Sequence, residues 1–182
     1  MCAVTDLAEL KTQIHRAFAR GEYPGDWCLT NSREGFEPGL LDEEFKGRSD
    51  WRTLDAAFID QAPNGYGTAL SFFSDEAFRF YLPAYLLADL DDKLQQADAV
   101  FALTHGFDNK SRGERINPRR YGERTWFEHA RHKFAVFNAE QAKAIVAYLR
   151  HKLAGDTITD FQKSHIREAL DNYWAARAGE RP

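Results

Sequence analysis

Two histidines, His129 and His132, come closest in this sequence to a metal-binding pattern. Residues three apart share one face of a helix, so two imidazoles and the neighbouring Glu128 could hold a zinc ion together with a third ligand. The H-E-x-x-H order of zinc proteases is absent, and the flanking Arg131 and Lys133 would repel a dication. We predict a solvated face or a partner contact here, with a metal-dependent hydrolase using His129 and His132 as an alternative.

Other reactive side chains have no partner residues in a recognisable catalytic motif. His105 has no serine or cysteine nucleophile near it in a recognisable motif, and Cys28 is expected to be a small buried residue. The carboxylates of Asp89, Asp91 and Asp92 could bind Mg²⁺ but are typical of a solvated turn. The glycines form no phosphate-binding motif. We therefore predict no catalytic residue and no cofactor.

A basic segment, residues 105–133, is the best candidate for an interaction surface. It contains eight Lys and Arg against four Asp and Glu, a charge of +4, which leaves −8 for the rest of a chain whose net charge is −4. Guanidinium groups alternate there with aromatic rings, as at protein interfaces and single-stranded nucleic-acid sites. A solvated excursion or an internal clamp onto the acidic remainder is the alternative. The predicted partner-binding residues are Arg119, Arg120, Tyr121, Arg124 and Trp126.

The composition limits the class of protein. The 182 residues, 43% of them hydrophobic, suit a single domain with an ordinary core. An acidic chain is not typical of general nucleic-acid binders. Cys2 and Cys28 form no disulfide framework, and neither a leader pattern nor a membrane-spanning segment is evident. The sequence predicts a cytoplasmic protein without a membrane role.

A central helix is predicted within residues 71–90. Ser74 is a suitable N-cap, and the apolar side chains that follow cover every face of the helix, so the helix should be buried all round. Pro83 should kink the helix or end its first part near Leu82. Arg79, the one charge in the apolar run, is expected to form a structural ion pair.

The remaining segments also favour helices, so a mainly α fold is predicted, with long irregular loops. Thr5 or Asp6 should cap the first helix, and Thr53 a short one before the central helix. Residues 21–50 are rich in turn formers and are predicted to be an ordered irregular loop, whereas 105–133 should be a basic loop or an insertion. The 21–50 loop should be ordered because it is too apolar for a solvated tail, with Trp27, Leu29, Phe36, Leu40, Leu41 and Phe45. Two later helices should begin at Asn138, with Gln141 completing a capping box, and near Thr159 or Asp160.

Four stretches together resemble a widespread bacterial family of uncharacterised small helical proteins. Its most specific motif is S-F-F-S-x-E-A-F-R-F-Y-L-P-A, present here as Ser71–Ala84. The resemblance spans roughly residues 45 to 174. It implies a bacterial, cytoplasmic helical domain and supplies no catalytic residues. The other stretches are Phe45-x-Gly47 with Trp51, Phe137–Gln141 with Ala144-Ile145, and Ala169-Leu170 with Tyr173-Trp174.

A non-enzymatic protein-binding module is the function that these features favour. It would be of the toxin-neutralising (immunity-type) or regulatory kind, with an unidentified protein partner. The alternatives are the metal-dependent hydrolase and nucleic-acid binding through residues 105–133. Oligomeric state is left open.

Overall fold

The fold is mainly α-helical, as predicted. A computed structural model describes residues 6–180, so Cys2 and Thr5 lie outside the described residues. Within 6–180, extended backbone pairs only at two isolated bridges, Thr30 with Phe73 and Arg115 with Thr125. The α-helices are α1 (Leu7–Phe18), α2 (Phe36–Phe45), α3 (Ala56–Gln61), α4 (Ala69–Phe72), α5 (Asp75–Leu90), α6 (Ala99–Thr104), α7 (Pro118–Tyr121), α8 (Trp126–Phe134), α9 (Ala139–Ala154), α10 (Asp160–Ala169) and α11 (Ala175–Arg177).

The chain divides into two compact units. One is the stretch Ile14–Ala102, and the other joins the residues up to Gln13 with those from Leu103 onward. The single domain predicted from the chain length stays a prediction.

Helix α5 is the predicted central helix. The Ser74 Oγ accepts from the Ala77 N–H at 3.0 Å, which confirms the N-cap. The helix runs through Pro83 to Leu90, so an end near Leu82 is wrong, and burial on nearly every face stabilises it against the lost backbone hydrogen bond. Arg79 is half-buried, and its ion pair stays a prediction. The buried residues are Ala77, Phe78, Phe80, Tyr81, Leu82, Pro83, Ala84, Tyr85, Leu86, Ala88 and Leu90.

Residues 21–50 are more regular than the sequence indicates, because α2 lies inside this stretch. Gly35, with φ of 100°, precedes the helix, and Pro38 falls in its first turn, where backbone N–H groups have no intrahelical partner in any case. Leu41 and Phe45 are fully buried, and the Phe45 ring lies 4.9 Å from that of Tyr81. Burial of these side chains therefore stabilises a helix that contains two turn formers, Pro38 and Gly39.

The cap of the short helix α3 is Asp55, and the prediction of Thr53 is wrong. The Asp55 carboxylate accepts from the Ala57 N–H at 3.0 Å. Thr53 instead closes a 3-10 turn, Trp51–Thr53, by donating its hydroxyl to the Asp50 carbonyl at 2.8 Å. The 3-10 turn and α3 follow each other closely, and Asp55 is a stronger N-cap residue than Thr53.

The unit that includes residues from Leu103 onward is built on α9 and α10. Both begin with complete capping boxes, Asn138 with Gln141 as predicted and Thr159 with Gln162, which confirms Thr159 over Asp160 as the start of the last helix. After α10 the backbone widens into a π-helical turn, Leu170–Trp174, before α11. These segments form the scaffold next to the candidate site.

No helix within residues 6–180 is both long enough and apolar enough to cross a membrane.

Candidate functional site

Residues 114–126 form a loop whose two ends are joined, here called the closed loop. The Ile116 N–H donates to the Arg124 carbonyl at 3.1 Å, and the Trp126 N–H donates to the Glu114 carbonyl at 3.0 Å. Ile116 is only 6% exposed, so its buried side chain anchors one end of the loop. The predicted partner-binding residues all belong to this loop, and the backbones of two of them, Arg124 and Trp126, take part in its closure.

Local hydrogen bonds define the path of the closed loop. The Asn117 carboxamide accepts from the Arg119 N–H at 3.1 Å, and Pro118 starts the short helix α7 with its preset φ. Gly122, with φ of 61°, ends that helix. These contacts make the segment ordered, and residues 126–133 belong to helix α8, so the prediction of a loop over all of 105–133 is too broad.

Helix α8 begins at a capping box that also fixes the end of the closed loop. The Thr125 hydroxyl accepts from the Glu128 N–H at 3.2 Å, and the Glu128 carboxylate accepts from the Thr125 N–H at 2.9 Å. Trp126 is thus the first residue of a capped helix. Its indole is attached to a firmly placed backbone.

The arginines of the basic segment fall into two groups. Arg115 pairs with the Glu123 carboxylate at 2.6 Å, and the Arg112 guanidinium lies 4.0 Å above the centre of the Phe127 ring. Arg119 and Arg124, in contrast, are exposed, and their side chains make no ion pair or hydrogen bond within residues 6–180. Two positive charges of the closed loop are therefore available to an external anion.

Aromatic side chains line the same loop. The ring centres of Tyr121 and Trp126 lie 5.8 and 6.3 Å from that of His129, both in edge-on geometry. The guanidinium of Arg120 lies 5.7 Å from the Tyr121 ring centre. Tyr121 and Trp126 are both half-buried, so each is held by the protein and still reaches the surface. We call Arg119, Arg120, Tyr121, Arg124 and Trp126 the Arg–aromatic surface.

Two histidines, His105 and His129, contact this surface, and a third, His132, lies on α8. His129 and His132 both lie on α8, and among residues 6–180 no group of three or more His, Cys, Asp or Glu side chains is placed to hold a metal ion. The His105 ring packs edge-on against Trp126 at 4.8 Å. Partial desolvation lowers the pKa of His105, and the nearby charge of Lys133 acts in the same direction.

The remaining candidates lie in the unit Ile14–Ala102. Cys28 is half-buried, with its Sγ 3.7 Å from the Ser74 Oγ, so it is less enclosed than predicted. Asp91 pairs with Lys93 at 3.6 Å, and Asp92 has φ of 55° in the turn after α5. Asp91 and Asp92 thus form the predicted turn, whereas Asp89 lies in the last turn of α5.

Comparison with protein families identifies the family of this chain. A family model matches residues 6–178, nearly the whole chain. The chain belongs to DUF6714, a family of unknown function. Comparison with curated proteins and with solved structures gives no match. Membership of DUF6714 agrees with the predicted uncharacterised family, and the closed loop lies inside the matched region.

Parts of the candidate site in this DUF6714 chain were missed from sequence. Thr125 and Glu128 have the spacing of a capping box, a signal that predicts the start of α8. The pairing of Arg115 with Glu123 spans eight residues and has no periodic signature. It depends on the bridge that closes the loop, so only the structure reveals which arginines remain available.

Proposed function

We propose that this chain is a non-enzymatic protein-binding module of the bacterial cytoplasm. Its Arg–aromatic surface contacts an acidic patch on a partner, and its role is regulatory or toxin-neutralising. The observation that carries this proposal is the exposure of Arg119 and Arg124 on the closed loop, where their side chains form no ion pair or hydrogen bond within residues 6–180.

Physical chemistry favours a protein partner at such a surface. Arginine and tryptophan are enriched among the residues that contribute most to binding free energy, and they act best when little ordering is needed on association. Here the Arg115–Thr125 bridge and the Thr125–Glu128 capping box already order the backbone. The entropy lost on binding is therefore confined mainly to side chains.

The test compares three forms of the full chain as bait for partners from its native cytoplasm. The variant Arg119→Glu/Arg124→Glu should recover at least about tenfold less of any specific partner, since two charge pairs become two repulsions. Arg167→Glu is the matched control, because Arg167 is also exposed and has no side-chain partner within residues 6–180. Equal recovery by all three baits, or no partner at all, would contradict the proposal.

Single-stranded nucleic acid is the second candidate, because guanidinium groups next to Tyr121 and Trp126 also suit base stacking. Binding of this kind weakens steeply as salt is raised. Titration of a labelled single-stranded oligonucleotide at several salt concentrations decides the point. Binding with a steep salt slope that is lost in Arg119→Glu/Arg124→Glu would replace the protein partner by nucleic acid.

A further inference from the structure

Trp27 is the large apolar side chain most at odds with its predicted environment. It is one of the apolar residues for which the 21–50 segment is predicted to be ordered, yet 80% of the residue is exposed. Its ring makes no aromatic contact or hydrogen bond within residues 6–180. Contact between the apolar indole and water is unfavourable, so burial of Trp27 by a partner would lower the free energy.

The indole lies close to Gly25, two residues earlier in the chain. A Cβ at Gly25 would lie 2.7 Å from the Trp27 Nε1 and 2.9 Å from its Cδ1, distances that real Cβ atoms do not adopt. The φ of Gly25 is 89°, a left-handed value that favours glycine. The ring thus folds back over a residue that has no side chain.

The backbone around Trp27 is firmly anchored. The Cys28 N–H donates to the Gly25 carbonyl at 3.0 Å, and the Asp26 carboxylate accepts from the Gly47 N–H at 2.7 Å and from the Tyr23 hydroxyl. Burial and the bond to Asp26 raise the pKa of Tyr23 to about 12, so this hydroxyl keeps its proton and remains a donor. Trp27 is therefore an exposed ring on an ordered support.

Leu29, two residues after Trp27, attaches this backbone to the core. Leu29 is 1% exposed, and its carbonyl accepts from the Ser74 N–H at 2.9 Å. Thr30 then pairs with Phe73 in an isolated bridge. Because these hydrogen bonds already order the backbone of residues 25–30, it loses little conformational entropy when a partner binds.

The charge around Trp27 selects the chemistry of the partner. The unit Ile14–Ala102 contains sixteen Asp and Glu against eight Lys and Arg, a charge of −8. Asp26 precedes Trp27 in the chain, and the Glu76 carboxylate lies 3.9 Å from the Cys28 Sγ. Lys46 also lies near Asp26 but leaves the local balance negative. Cations are therefore attracted to this part of the surface.

We propose that Trp27 anchors a second interaction surface, which binds a basic polypeptide segment by placing an Arg or Lys of that segment over the indole. Tryptophan is the most favourable ring for a cation–π contact, and nearby carboxylates strengthen the attraction. This surface differs in location and charge from the Arg–aromatic surface. The inference goes beyond the proposed function and does not depend on it.

The experiment selects displayed random peptides on the immobilised full chain and measures the affinity of a synthetic copy of an enriched peptide. Enriched peptides should be positively charged, and Trp27→Ala should weaken binding by about 2- to 30-fold. Gly25→Ala should also weaken it, since the ring must move. Phe161→Ala is the matched control, because Phe161 is a 71% exposed aromatic residue of the other unit.

Several results would overturn the inference. They are a failure to enrich any peptide, enrichment of neutral or acidic peptides, and equal affinity of Trp27→Ala and the unaltered chain. Circular dichroism spectra of the variants identify any loss of fold, and Trp27→Phe, which keeps a weaker ring, should then show an intermediate affinity. Sedimentation showing that Trp27 mediates contact with a second copy of the chain would also replace the basic peptide as the occupant.

Discussion

The indole Nε1 of Trp174 donates a hydrogen bond to the Leu103 carbonyl at 2.8 Å, which joins the π-helical turn to the end of α6. Trp174 is completely buried, and its ring centre lies 5.2 Å from that of Phe134 and 5.9 Å from that of Phe137. One side chain thus combines a large apolar contact with a hydrogen bond that phenylalanine, an aromatic residue without a donor, could not make.

Replacing Trp174 should therefore be among the most destabilising changes in the chain. Trp174→Ala is expected to lower the free energy of unfolding by about 3–5 kcal/mol, from the lost contacts and the cavity. Trp174→Phe should cost less but still leave the Leu103 carbonyl without its donor, a penalty of about 1–3 kcal/mol. Urea unfolding measures both. A Trp174→Phe variant as stable as the unaltered protein would show that the hydrogen bond has no net value.

Asp60 organises the chain between α5 and α6. Its buried carboxylate, 7% exposed, accepts from the N–H groups of Gln95, Gln96 and Ala97 at 2.8, 2.8 and 3.0 Å through one oxygen. Asp60→Ala should lower the free energy of unfolding by about 2–3 kcal/mol, and Asp60→Asn by less, because the amide oxygen still accepts. Urea unfolding of both variants is the measurement.

The control for Asp60 is Asp156→Ala, since Asp156 is exposed and has no side-chain partner within residues 6–180. Its effect should stay within about 0.5 kcal/mol. If Asp60→Ala behaved like this control, solvent would be replacing the carboxylate at all three N–H groups.

Thr125 should control the order of the closed loop. Thr125→Ala removes the hydroxyl of the capping box and should lower the free energy of unfolding by about 1 kcal/mol. It should also speed amide hydrogen exchange in residues 115–126, because the same residue forms the bridge with Arg115. Thr159→Ala removes the matching cap of α10 and should cost a similar free energy without altering exchange in the loop. Identical exchange patterns in the two variants would disprove this role.

His105 should make the protein less stable in mild acid. Partial desolvation next to Trp126 lowers its pKa below the ordinary 6.5; Lys133 and His165 lower it further, and Asp108 opposes them. The unfolded chain then binds a proton more readily than the folded one, so stability is complete above about pH 6.5 and falls as the pH drops toward the folded pKa. Urea unfolding across this range measures the effect.

The variant His105→Gln should flatten that pH dependence, whereas His132→Gln, at an exposed position of α8, should preserve it. Proton magnetic resonance of the imidazoles measures the pKa values directly. A His105 that titrates at or above 6.5 in the folded protein would refute the prediction.

Signals contained within one turn of helix were predictable from the sequence. The caps Ser74, Asn138 and Thr159 each depend on a residue and a backbone group two or three positions away, so their spacing is visible in the chain itself. The burial of α5 was predictable for a similar reason, since apolar residues on every face leave no solvated side.

Features that depend on distant segments were missed. Helix α2 follows from the burial of Leu41 and Phe45 against other elements, which outweighs the local preference of Pro38 and Gly39 for turns. The exposure of Trp27 depends on how residues 28–31 pair with 72–74. At the candidate site the residue types were evident, but the bridge that leaves Arg119 and Arg124 available was not.

The π-helical turn Leu170–Trp174 changes the direction in which the later side chains of the last helical segment point. In a regular α-helix each step of four residues overshoots a full turn by about 40°, so a row at this spacing soon rotates away from its neighbours. Yet Ile166, Leu170, Trp174 and Ala178 are all buried. The wider turn, with its longer i→i+5 bonds, cancels part of the accumulated rotation. One extra residue thus determines which way the final turn faces, and deletion of a single residue here would turn Ala178 toward solvent.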